Sequence, residues 1–87
     1  MKAMITVMGK DKPGIIAKVS AAVFENGANI LDITQTVMKD DIFAMLMLVD
    51  VNEKNTELQK RLEECEKELE MQIRIQREEL FLSMHRI

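Results

Sequence analysis

The residues with chemistry to offer stand at two places in the chain. Asp11, within Gly9-Lys10-Asp11-Lys12-Pro13-Gly14, is a carboxylate at the point where an apolar strand-like run gives way to an apolar helical one. A helix that starts there leaves the amides of Gly14, Ile15 and Ile16 without intrahelical partners, and such amides receive a carboxylate. Gly14 has no side chain to hold a ligand away from the backbone. Asn29 opens the next strand-like run, whose start is expected beside the end of the first strand, and its amide both donates and accepts. An ammonium for Asp11 and a carboxylate for the amides together describe an amino acid. The same residues also have a structural use. Asp11 is read first as a helix N-cap with Pro13 in the first turn, where the missing N–H costs nothing, and Asn29 equally as a partner for local turn backbone. The two uses of Asp11 compete, because a capping carboxylate occupies the place of a ligand's.

Other chemistries lack their residues. No Gly-Lys-Ser/Thr follows the corner and no G-x-G-x-x-G occurs, so nothing is present to hold a nucleotide phosphate and its magnesium. The single Cys65 excludes an intrachain disulfide and a multi-cysteine metal site, and it reads as core. His85 has no acid–base partner nearby in sequence, and the glutamates after residue 56 read as a solvated helix face. Without a nucleophile–base pair or a metal spacing, the chain reads as a binding module and not an enzyme, with no cofactor and no metal. A net charge of -3, no Trp, no Tyr and three Phe speak against direct nucleic-acid binding, since neither a basic footprint nor a stacking platform is present. The longest apolar run, Ile42 to Val49, is far short of the roughly 20 residues that span a bilayer. No signal-like segment follows Met1-Lys2, so a soluble cytoplasmic protein without membrane association is expected.

The elements that must position the corner follow from hydrophobic spacing. Lys2 to Met8 alternates and predicts a first strand; Ile15, Ile16, Val19, Ala22 and Val23 recur at helical spacing, and Asn26-Gly27 predicts the helix end. Ala28 to Met38 is rich in β-branched residues and predicts the second strand, with a polar face at Asp32, Thr34, Gln35 and Thr36. Lys39-Asp40-Asp41 is a hairpin break lacking the usual Asn-Gly or Asp-Gly pair. Ile42 to Val51 is the third strand, and its uninterrupted apolar run predicts burial on both faces. After a polar connection over 52–55, Thr56 with Gln59 suggests a capping box, and Leu58, Leu62, Cys65 and Leu69 form a narrow apolar stripe. Met71, Ile73 and Ile75 alternate inward on a fourth strand, and Leu80, Phe81, Met84 and Ile87 mark a last helix.

The order β-α-β-β-α-β predicts an α+β fold, a ferredoxin-like sandwich with one antiparallel sheet and both helices on one face, plus an extra C-terminal helix. The domain is expected over 1–77, with 78–87 packing on it or on a dimer partner. Since the third strand asks for burial on both faces, a second copy of the chain or the C-terminal helix must cover the other one, and a homodimer is expected.

Asp11-Lys12-Pro13-Gly14-Ile15-Ile16-Ala17-Lys18-Val19, followed by Asn26-Gly27-Ala28-Asn29-Ile30, resembles the ACT domain family over Lys2 to about Arg77. The ending from Arg74 to Ile87 is similar to small stand-alone ACT proteins related to the glycine cleavage system regulator. The resemblance implies regulatory binding of a small molecule, usually an amino acid, between paired domains, with Asp11, Gly14 and Asn29 as ligand contacts. Serine-sensing members carry histidine where this chain has Gly9 and asparagine where it has Asp11. The alternative is a protein–protein interaction module that takes no metabolite and engages a regulated protein through its sheet face or last helix. An acylphosphatase-like enzyme would need an arginine in the corner loop, and Gly9 to Gly14 contains none.

Overall fold

The structure, a computed structural model, describes residues 1–51 and 56–84, the side chain of Thr56 excepted. The capping role of Thr56, the connection 52–55 and the residues His85 and Ile87 lie outside the described residues. The elements are β1 (Lys2–Lys10), α1 (Ile15–Glu25), β2 (Asn29–Met38), a short turn (Lys39–Asp41), β3 (Ile42–Asp50), α2 (Thr56–Leu69), β4 (Gln72–Arg77) and α3 (Glu78–Met84). The four strands form one antiparallel sheet in the order β2-β3-β1-β4, as the expected ferredoxin-like sandwich requires.

Alternation decides which side chains meet the helices. Ala3, Ile5 and Val7 of β1 stand opposite Val49, Met47 and Met45 of β3, and all six are buried. On α2 the stripe Leu58, Leu62, Cys65 and Leu69 is buried as expected, each leucine worth about 1.5–3 kcal/mol of burial. Val19, Ala22 and Val23 of α1 complete the same core.

Both helix ends follow from left-handed residues. Gly27 takes φ 74°, and the Ala28 amide donates to the Val23 carbonyl at 3.1 Å, which closes α1 in a Schellman turn. Glu70 takes φ 54° after α2, where the Met71 amide donates to the Glu66 carbonyl at 3.2 Å. The hairpin break without glycine is made by Asp40 and Asp41, both at positive φ, a region that aspartate tolerates better than most residues.

Two expectations need correction. On β3, Phe43, Met45, Met47 and Val49 are buried, but Ile42, Ala44, Leu46 and Leu48 are only half-buried, because within one chain no helix of α1 or α2 reaches that face. The last helix supplies part of the cover by setting Phe81 against the sheet, yet Leu80, Leu82 and Met84 remain more than half exposed. The stripe expected on that helix is thus engaged mainly through Phe81. Strand β2, at the sheet edge, is exposed along nearly its whole length, with only Ile30 half-buried.

Candidate functional site

The corner is built from the end of β1, a turn at Pro13-Gly14, and the start of α1. Gly9 lies within the strand, opposite Phe43, and a Cβ there would come within 2.9 Å of the Met71 side chain. Its glycine therefore serves close packing of β1 on the segment entering β4. Gly14 is the residue that sets the corner. It takes φ 86°, a left-handed conformation, and is the N-cap of α1. The first helical bond runs from the Lys18 amide to the Gly14 carbonyl at 3.0 Å, so the amides ahead of Lys18 are those a helix leaves unpaired.

The capping role weighed for Asp11 is not the one it has. With Gly14 as N-cap, α1 carries no side-chain cap bond, so the Asp11 carboxylate does not cap it. Pro13 likewise sits in the turn before the helix rather than in its first turn. The backbone of Asp11 is nevertheless anchored: its N–H donates to the Asp41 carbonyl at 2.7 Å. Its side chain is exposed, as is Gly14. Ile15 is 2% exposed, with its side chain in the core, so it offers a ligand no side-chain contact.

Asn29 is not beside the corner. Both β1 and β2 run antiparallel to β3, so they share a direction and begin at the same end of the sheet. Asn29 stands opposite Asp50, in the same row as Lys2, while Lys10 stands opposite Ile42 at the far end. The separation along the strands is roughly 25 Å at 3.3 Å per residue. Placing the start of strand two next to the end of strand one is therefore corrected: within one chain Asp11 and Gly14 come together, and Asn29 does not join them.

Lys12 is a residue whose role no local pattern showed. Its ammonium donates to the Leu69 carbonyl at the C-terminus of α2, where a cation is favoured by the unpaired carbonyls and the helix dipole. The partner lies 57 residues away, which is why sequence spacing gave no sign of it. Near the C-terminus of α2, Glu68 pairs with Lys18 of α1 at 3.1 Å, and Arg61 reaches the other Glu68 oxygen at 3.3 Å. The hydrogen bond from Lys18, ahead of that from Arg61, holds the Glu68 carboxyl below its usual range. Burial pushes the Cys65 thiol up, as befits a core cysteine. Among the described residues, no helix is long and apolar enough to cross a membrane, and no group of three or more His, Cys, Asp and Glu side chains converges.

An antiparallel sheet of this order, with two helices on one face and an uncapped glycine opening the first of them, defines the class as a ferredoxin-like α+β domain with a backbone-lined corner. The chain belongs to the ACT domain family, whose model matches residues 2–76. A UPF0237 protein of Methanocaldococcus jannaschii is 45% identical over 89 residues, covering 99% of this chain and 98% of that protein. Among solved structures, an ACT domain protein from Streptococcus pneumoniae superposes with TM-score 0.79 at 46% identity, covering 93% of each chain. A putative glycine cleavage system transcriptional repressor superposes with TM-score 0.77 at 28% identity; the match covers 86% of this chain but 44% of that one.

Proposed function

We propose that the chain is a non-enzymatic regulatory module that binds an amino acid at a homodimer interface. The observation that carries this reading is the start of α1, where an exposed left-handed glycine leaves the helix amides without a side-chain acceptor. A ligand carboxylate fits the Gly14 and Ile15 amides, and the exposed Asp11 carboxylate fits the ammonium. The family supports the same corner, since its motif residues are the ones that line it.

The split between the corner and Asn29 supports the dimer as well. Edge strand β2 has one unpaired side and exposed apolar side chains at Leu31, Ile33 and Val37. Unpaired edges invite a second strand. If two β2 strands pair antiparallel about a two-fold axis, the start of one lies against the end of the other. Met38, Ile42 and Lys10 form one row across the sheet, so Asn29 of the partner subunit arrives at the corner's end of the sheet. Each site is then made by two chains.

A thermal-shift screen of the twenty amino acids on the purified protein tests the ligand, since saturation at 100 times Kd adds about 2.7 kcal/mol. Mixing Asp11→Ala chains with Asn29→Ala chains tests the assembly: neither variant binds alone, and exchange restores one intact site in each mixed dimer. If no amino acid shifts the melting temperature at millimolar concentration, the protein-interaction alternative takes its place.

A further inference from the structure

The sheet face turned away from α1 and α2 carries a cavity of about 400 Å³, within the range of small-molecule pockets. Strand register explains its form. Thr34, Leu46, Thr6 and Arg74 make one row across all four strands, each opposite the next. The neighbouring row is Thr36, Ala44, Met8 and Gln72. Ala44 has only a methyl group where Ile42 and Leu46 of the same strand face carry branched chains, so the sheet surface dips there. Phe81 of α3 forms part of the wall. Each row thus begins on a threonine and ends on a polar side chain of β4, with Leu46 and Thr6 between in one and Ala44 and Met8 in the other.

We propose that this cavity binds a small monocarboxylate with an apolar body, its carboxylate on Arg74 and its chain lying across β1 and β3. Arg74 takes part in no ion pair among the described residues, and no Asp or Glu lines the cavity. A guanidinium presents a planar fork that matches a carboxylate, and one carboxylate balances its single charge where a phosphate dianion would not. The absence of a lining acid also sets the selectivity. An amino acid would bring an ammonium with no anionic partner, so the cavity takes acids without that group. The row is about 14 Å long, three strand spacings, which suits a chain of several methylenes. None of Asp11, Gly14, Ile15 or Asn29 lines it, so the inference stands independently of the amino-acid site.

The test is calorimetric titration of the whole protein with hexanoate below its micellar range, with amide chemical shifts followed in parallel. Saturable binding is expected, with shifts centred on Thr6, Ala44 and Arg74. Arg74→Gln should weaken it by about tenfold or more, and Arg74→Lys should retain part of it, as for a charge-assisted bond. Ala44→Leu should abolish binding by filling the dip, with circular dichroism confirming that both Arg74→Gln and Ala44→Leu proteins fold. Norleucine should not compete. The proposal is overturned if hexanoate does not saturate, if Arg74→Gln leaves its affinity unchanged, if hexyl phosphate or norleucine binds there more tightly, or if the Thr6 and Ala44 amides are shielded by a second copy of the chain.

Discussion

The Asp11 amide donates to the Asp41 carbonyl at 2.7 Å and so ties the corner after β1 to the turn before β3. This bond continues the β1–β3 ladder one step beyond Lys10 and Ile42. It holds the corner's backbone in place while leaving the Asp11 carboxylate exposed. Two aspartates at positive φ shape the accepting turn, so a strained hairpin end and the corner opening α1 share one hydrogen bond.

Replacing Asp11 with alanine should therefore change stability by less than about 0.5 kcal/mol, as for an exposed side chain without a cap. A true N-cap would lose about 1 kcal/mol on the same substitution. Urea unfolding midpoints distinguish the two. Asp11→Pro, which removes the donor to Asp41, should destabilise clearly where Asp11→Ala does not.

Lys12→Met keeps most of the aliphatic stem and removes the donor to the Leu69 carbonyl. A loss of about 1 kcal/mol is expected in chemical unfolding. Hydrogen exchange should rise first in the last turn of α2, not in α1.

Gly9→Ala places a methyl group 2.9 Å from Met71 Cγ and 3.3 Å from its backbone Cα. The expected cost is about 1–3 kcal/mol, because the side chain can move and the backbone cannot. Adding Met71→Ala removes the Cγ contact, so the double variant should lose less than the sum of the two single ones. Equal additivity would show that the crowding is absent.

The Lys18–Glu68 pair gives a pH dependence of definite sign. The folded state holds the Glu68 carboxyl below its unfolded value, so its contribution is present above the unfolded carboxylate range and is lost as pH falls through the folded value. Thermal melts of Glu68→Gln should sit slightly below wild type at neutral pH and converge with it in acid. Because the pair is exposed, the difference should shrink with added salt.

Local chemistry made much of this protein legible before folding was considered. The stripe Leu58, Leu62, Cys65 and Leu69, the helix end at Gly27 and the inward set Met71 and Ile73 depend on spacing and on glycine's access to the left-handed region, and all are written in short stretches of sequence. The Asp-Lys-Pro-Gly corner was likewise visible as a motif. What stayed hidden depends on relations between distant segments. Whether Asp11 capped α1 turned on whether the helix began at Gly14 or before it, a choice made by how Ile15 packs into the core. That Lys12 reaches Leu69 follows from α2 ending beside the corner. Asn29 falls at the opposite end of the sheet because β1 and β2 both run against β3, and strand direction is a property of the assembled sheet alone. The row from Thr34 to Arg74 likewise exists only once three registers are set, since a slip of one residue would turn each side chain to the other face.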